Sequence, residues 1–490
     1  MSRPRVETAY GVVEGGTVTA PDGSTVHSFL GIPYAASTAG EQRWRAPTPP
    51  HPWPGVRPAI TFGPAAPQAD PLPTPLPGFK PDHGTSEDCL SVNVWTPGLD
   101  GAQRPVMVWI HGGAYTSGGS AQPVYDAARL VSEGDVMVVT MNYRLGALGF
   151  LALGGDTDAN CGLLDQLAAL RWVREHARVL GGDPRRMTVF GESAGAGSIL
   201  HLAASPLGRD AFDGAIAQSG EPRTLGAGQA SEVAAAFARH LGLRRADPPR
   251  LRGIPVSRLL DAQTSVIAEL AASMGMMPLA PVLDGRVCDL DVTAAFAAGR
   301  AASVPLVIGT TREELRLFPD PRSTGVDDPR LGRWVAKMLS TDERGAARAV
   351  DTYRATLGPH ATNGDVWEAV RTDAMMRVPN LRVAEAQAQH QTSTFVYRFD
   401  WSAPGLGAAH AIDVPFTFGT FDREGWGEVV GHDQRAERLG TAMRAAWTAF
   451  ARTGDPSWPA YETRTRPTMI FDADCRVELD PDGATSALYL

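Results

Sequence analysis

Among the 490 residues of this chain, those best suited to chemistry are Gly191-Glu192-Ser193-Ala194-Gly195. A serine framed by glycines becomes reactive where a strand turns sharply into a helix. The turn lifts the hydroxyl above the sheet edge, and the glycines let the helix pack close to the strand. That setting is present: the apolar run Met187–Phe190 reads as a strand, and Ala194-Gly195-Ala196-Gly197-Ser198 reads as a helix start built of small residues. A helix N-terminus also presents N–H groups and a positive dipole end to a developing negative charge. The implied chemistry is attack by the Ser193 hydroxyl on a carbonyl carbon. A plain tight turn can use the same residues, so the pentapeptide has meaning only in its context.

Such attack needs an oxyanion site, a base and an acid that orients the base. His111-Gly112-Gly113-Ala114-Tyr115 follows the apolar run Val106–Ile110, and its glycines can turn N–H groups inward. The N–H of Ala194, the residue after the nucleophile, is the expected further donor. Beyond the serine, the adjacent Glu313 and Glu314 follow the apolar run Val304–Gly309, and Asp284 is a further acid. Four histidines follow that pair: His360, His390, His410 and His432. His410 has a Gly/Ala-rich approach, Gly407-Ala408-Ala409, whose small side chains leave an imidazole room to reach a serine. Residue types alone leave these choices open.

The elements that must position these groups are legible as apolar runs punctuated by glycine. Val106–Ile110, Val136–Asn142, Met187–Phe190, Ala215–Gln218, Val304–Gly309 and Thr394–Phe399 read as short strands. Most are apolar throughout rather than alternating, which suits a sheet covered on both faces. Leu163, Leu167, Leu170 and Val173 recur at helical spacing, and Gly181-Gly182-Asp183-Pro184 closes that segment. Strands alternating with helices predict an α/β fold with a mostly parallel central sheet.

Composition narrows the function classes. Acidic residues number 54 and basic residues 45, a formal charge of −9, with no basic stripe of the kind nucleic acid requires. No apolar stretch is long enough to span a membrane. The N-terminal residues lack the apolar core of a secretion signal, and the four cysteines form no CxxC pair or zinc-like cluster. A cytoplasmic, reducing setting is expected.

Taken in order along the chain, the motifs resemble the type-B carboxylesterase/cholinesterase family, and most of all its bacterial para-nitrobenzyl-esterase-type members. The resemblance is carried by Phe29-Leu30-Gly31-Ile32-Pro33-Tyr34-Ala35, Glu87-Asp88-Cys89-Leu90, Asn142-Tyr143-Arg144-Leu145-Gly146, Gly162-Leu163-Leu164-Asp165-Gln166, the Ser193 pentapeptide and Phe450-Ala451-Arg452-Thr453-Gly454-Asp455-Pro456. It implies one α/β-hydrolase domain over residues 1–490, with helices flanking a large mostly parallel sheet and helical and loop insertions over the active site. Length alone would suggest more than one domain.

The resemblance also implies roles. Ser193 is the nucleophile, His410 the base and Glu314 the triad acid; the glycine usual after that acid is Leu315 here. Gly113, Ala114 and Ala194 supply the oxyanion N–H groups. Ser219 matches a serine near the triad, although a simple turn would explain it equally. Glu192, Tyr115 and the loop 67–86 border the gorge. Ion pairs Arg43–Glu87 and Arg144–Asp165 are implied as well. The activity implied is hydrolysis of small to medium carboxylic esters through an acyl-enzyme, with no metal or organic cofactor. Its partner is a small-molecule ester, not nucleic acid. Carbamate or amide hydrolysis by the same residues is the alternative, and a non-catalytic interaction protein is a more distant one. Two departures stand out. Residues 63–68 lack the cysteine that secreted members pair with the cysteine matching Cys89. The loop 67–86 lacks the tryptophan that binds choline, which disfavours choline esters.

Overall fold

A computed structural model of the chain describes all residues except 1, 2, 70–73, 81, 82, 276, 424, 432, 433 and 490. Its centre is an 11-stranded sheet. From one edge the strands are Arg476–Leu479, Pro467–Phe471, Thr394–Phe399, Leu306–Thr311, Gly214–Gln218, Gly182–Glu192, Arg104–Ile110, Met137–Met141, Ser91–Thr96, Thr25–Pro33 and Gly16–Thr19. Those from Pro467–Phe471 to Met137–Met141 run parallel, and the strands beyond them at both edges are antiparallel. A separate three-stranded sheet joins Arg5–Thr8, Gly11–Glu14 and Val56–Pro58.

The uniform apolarity of the central strands follows from burial on both faces. Along Arg104–Ile110, Val106, Val108 and Ile110 pack into one core with Leu163, Leu167, Leu170 and Ile199. Met107 and Trp109, which point the other way, pack with Phe418, Trp447 and Phe450. Helices Cys161–His176 and Ala194–Ala204 cover the first face, and Gln434–Thr453 covers the second. The strand expected at Met187–Phe190 is longer, Gly182–Glu192. Its register breaks between the pairs Arg104–Gly182 and Val106–Met187. Pro184, which has no N–H to give, is accommodated in that irregular stretch. Between Leu306–Thr311 and Thr394–Phe399 the chain inserts helices Asp328–Leu339, Glu343–Leu357 and Asn363–Thr372, which share a small core around Val335, Tyr353 and Trp367.

Both expected ion pairs are present. Arg43 clasps Glu87 through Nε and Nη2 at 2.6 and 2.7 Å. Arg144 Nε and Nη2 donate to Asp165 at 2.7 and 2.6 Å, and the Arg144 backbone N–H adds a third bond at 3.0 Å. Asp165 is fully buried, so an unpaired charge would have no solvent to turn to. Arg144→Ala should lower the unfolding free energy by about 3–5 kcal/mol. Urea titration of parent and variant measures this, and coincident midpoints would refute it.

Candidate active site

Four neighbouring parallel strands deliver the candidate groups at their carboxyl ends. Gly182–Glu192 leads to Ser193, Gly214–Gln218 to Ser219, Leu306–Thr311 to Glu314, and Thr394–Phe399 to the loop that carries His410. Ser193 has φ 56° and ψ −124°, a conformation of the kind that costs a non-glycine residue about 1–3 kcal/mol. Helix Ala194–Ala204 starts immediately after it. The neighbouring glycines make this approach possible: a Cβ on Gly195 would lie 2.0 Å from the Ile110 carbonyl oxygen. Gly112 lies against the same turn, where a Cβ would stand 3.0 Å from Ser193 Cβ and 2.9 Å from Glu192 Oε2. The glycine-rich loop after Arg104–Ile110 is thereby seated on the elbow.

That loop is tightly wound. Gly113 has φ 112°, and Ala114 and Tyr115 follow at 52° and 60°. The Gly113 carbonyl accepts from the N–H groups of Thr116 and Ser117, both at 2.9 Å. Among the described residues, the N–H groups of Gly113, Ala114 and Ala194 donate to no protein acceptor. Gln68 braces the loop from outside, exchanging two hydrogen bonds with the Gly118 backbone at 2.8 and 2.9 Å. The segment 67–69 therefore reaches this loop, whereas residues 70–73, 81 and 82 of the expected 67–86 border lie outside the described residues.

The candidate acids and histidines lie in different surroundings. Glu314 is fully buried, and its Oε2 meets His410 Nδ1 at 2.5 Å. Its Oε1 accepts from the Ser219 hydroxyl at 2.6 Å and from the Thr311 N–H at 2.8 Å. Glu313 points elsewhere, to the Ala408 N–H at 2.9 Å and to Arg316. Asp284 closes a turn by accepting the N–H groups of Arg286, Val287 and Cys288. His360 and His390 are exposed, and His432 lies outside the described residues.

His410 Nε2 faces Glu192 Oε1 at 2.9 Å, an ion-pair distance without the alignment of a directed hydrogen bond. No hydrogen bond joins His410 to the Ser193 hydroxyl among the described residues. Burial alone would push the imidazole pKa down. The carboxylates of Glu192 and Glu314 on either side outweigh it and hold the pKa well above its ordinary value. Burial likewise pushes Glu314 up, but the charge of His410 and the hydrogen bonds from His410, Ser219 and Thr311 bring it below the usual glutamate range. Glu221, raised by burial, also interacts with the imidazole charge.

One acid of this cluster escaped the sequence reading. Asp413, three residues after His410, is fully buried and accepts from Gln218 Nε2 at 2.9 Å and the Tyr397 hydroxyl at 3.1 Å. Burial, with Glu192 and Glu314 nearby, lifts it to about 7. The one available signal was its spacing from His410, which places both on a single tight segment.

Since a general base works only unprotonated, activity should rise with pH through a limb above the ordinary histidine range. Glu192→Gln removes one of the two flanking charges. The neutral imidazole is then favoured, and the acid limb of kcat/KM moves to lower pH. A pH profile that stays in place after this change would refute the coupling.

A parallel sheet that delivers a serine elbow, an acid loop and a histidine loop from neighbouring strand ends is the arrangement of the α/β-hydrolases, and this chain is of that class. The carboxylesterase family matches residues 2–478, and the chain belongs to that family of carboxylic ester hydrolases. It is 37% identical to the para-nitrobenzyl esterase of Bacillus subtilis, over 99% of this chain and 98% of that one. It is 37% identical to the phenmedipham hydrolase of Pseudarthrobacter oxydans over the same shares, 99% and 98%. Among solved structures, a thermophilic PNB esterase aligns with a TM-score of 0.87 at 36% identity, covering 100% of both chains. The carboxylesterase Est55 of Geobacillus stearothermophilus aligns with a TM-score of 0.88 at 36% identity, again over 100% of both.

Proposed function

We propose that Ser193, His410 and Glu314 form the catalytic triad of this esterase, acting on small to medium carboxylic esters, with Gly113, Ala114 and Ala194 as its oxyanion donors. The observation that carries this reading is the His410 imidazole, held by buried Glu314 and reaching the residue adjacent to the strained Ser193. The mechanism requires the imidazole to turn about its Glu314 contact, so that Nε2 leaves the Glu192 carboxylate and meets the Ser193 hydroxyl. Ser193 Oγ then attacks the ester carbonyl as His410 Nε2 takes its proton. Glu314 fixes the tautomer with Nδ1 protonated and stabilises the imidazolium. The tetrahedral oxyanion is met by the three unengaged N–H groups. The imidazolium protonates the departing alcohol, and water repeats the sequence on the acyl-enzyme. Ser219 holds the acid, and Glu192 sets the charge around the base. No step in this sequence calls for a metal or organic cofactor.

The experiment is covalent labelling with a fluorophosphonate followed by peptide mapping. A single adduct on Ser193 supports the reading, and an adduct elsewhere or none overturns it. A chain-length series of nitrophenyl esters, run against matched carbamates and amides, defines the substrate class. Faster turnover of carbamates or amides would replace the ester preference by the alternative activity.

The same reading extends to organisation and setting. One domain over residues 1–490 is supported by core clusters that draw on residues from Val6 to Phe471. A reducing, cytoplasmic setting is supported by Cys89, Cys161, Cys288 and Cys475, all of them free thiols.

A further inference from the structure

Glu314 is held not only by its immediate partners but by one short stretch of helix that grips the backbone on three sides of it. Helix Asn363–Thr372 runs into a π-helical turn, Asp373–Arg377, and on into helix Val378–Ala388. π-turns inside helices are uncommon and are enriched at functional positions. From this stretch, the Thr372 hydroxyl accepts the N–H of Leu315, the residue after Glu314, at 3.2 Å. Arg377 Nη2 donates to the carbonyls of Thr311 and Arg312 at 3.2 and 2.6 Å, and the N–H of that same Thr311 donates to Glu314 Oε1. Asn380 Nδ2 donates to the Gly220 carbonyl at 2.6 Å, directly after Ser219, the other donor to Oε1. Thr372, Arg377 and Asn380 are all buried.

Arg377 is in turn set by Asp373, one turn before it, and by the remote Asp482. Its Nη1 bonds Asp373 Oδ1, and its Nε lies 3.6 Å from Asp482 Oδ2. Asp373 Oδ2 accepts from the Tyr353 hydroxyl at 2.8 Å, and that hydroxyl meets the Tyr489 hydroxyl at 2.9 Å. Arg382 Nη2 holds the Tyr489 carbonyl at 2.7 Å. Asp482 is also paired with Arg398 at 2.6 Å, on the strand next to the one that leads to Glu314. A chain of hydrogen bonds, charge-assisted at Asp373 and Arg377 and half-buried at its Tyr489 end, thus runs from Tyr489 through Tyr353, Asp373 and Arg377 to the backbone around the acid.

We propose that Arg377, with Asp373, Tyr353 and Tyr489 behind it, is a positioning device for Glu314: residues 482–489 act on ester turnover through the placement of the triad acid, without touching substrate. This rests on the assignment of Glu314 proposed above. The imidazole must be held within a fraction of an ångström to serve as base, and displacement by about 1 Å from a remote change can cost about a hundredfold in rate.

The test uses Arg377→Lys, Tyr353→Phe and Tyr489→Phe in the full chain, each made in the parent and in a Glu314→Gln background. Lysine keeps the charge but cannot bridge two carbonyls and Asp373, and phenylalanine removes only a hydroxyl. Circular dichroism and thermal midpoints check the fold; if Arg377→Lys does not fold, the two tyrosine variants carry the test. In the parent, Arg377→Lys should lower kcat by about ten- to a hundredfold, with KM changed by no more than about twofold. The tyrosine variants should show smaller losses of the same kind. The acid limb of the pH profile should move down, because a loosened Glu314 no longer raises the His410 pKa as far. In the Glu314→Gln background the same changes should add nothing, since the group they position is already gone. Folded variants with parent-like kcat would overturn the proposal. So would equal proportional losses in both backgrounds, the mark of a merely structural role. Parent-like turnover by Glu314→Gln alone would overturn the triad assignment as well, which separates the two failures.

Discussion

Ser193→Ala should lower the kcat for nitrophenyl esters by on the order of 10⁶, with binding of a substrate analogue changed little. The size follows from the role: no neighbouring group can replace the hydroxyl, and the remaining oxyanion site and binding alone sustain about 10³–10⁴ over water. The fold should survive, because the Ser193 hydroxyl makes no hydrogen bond among the described residues and Ala194–Ala204 is held by its packing. Its backbone bonds, from its own N–H to the Gln218 carbonyl and from the Gly197 N–H to its own carbonyl, both at 2.9 Å, are untouched by the change. The nitrophenolate burst and the acyl adduct by mass should both vanish. A variant that kept more than about one per cent of parent turnover would exclude Ser193 as nucleophile.

Glu314→Gln should lower kcat by on the order of 10⁴ with little change in structure. The surroundings dictate how the amide lies. Oε1 of Glu314 receives two donors, the Ser219 hydroxyl and the Thr311 N–H, so the amide oxygen must take that place. The amide NH₂ then falls opposite His410 Nδ1 and donates to it. Nδ1 must be unprotonated to accept, which puts the single proton on Nε2, where it cannot take one from serine. The imidazolium also loses its buried counter-charge. Fast-kinetic assays over the full pH range measure the loss, and a loss below about tenfold at every pH would remove Glu314 from the mechanism.

These two residues differ in how far the chain alone reveals them. Ser193 is visible as an apolar strand, a glycine-framed turn and a helix start of small residues, because backbone conformation there depends on neighbours within a few positions. The same holds for the parallel strands, whose two-sided burial shows as unbroken apolar runs. The edges read less well. Arg5–Thr8 and Arg476–Leu479 bury one face or almost none, so their short mixed patterns resemble loops. Gly181-Gly182-Asp183-Pro184 does end the helical segment, with Gly181 left-handed at φ 92°, but the bulged strand start at Gly182 is hidden because Gly-Asp-Pro is a terminator in most settings.

By itself the sequence determined the α/β layering, the elbow at Ser193, the glycine-rich loop that abuts it and, through co-linear motifs, the family. Only the tertiary structure showed that Glu314 meets His410 while Glu313 turns to the Ala408 N–H, that His360 and His390 are exposed, and that Glu192 faces the imidazole. It alone revealed the buried Asp413 and the grip of Arg377 on the acid loop. The reason is physical. A strand or turn is specified by residues a few positions apart, whereas a carboxylate and an imidazole 96 residues apart meet only when long loops close on a common sheet. Their protonation then depends on burial and facing charges that no linear spacing encodes.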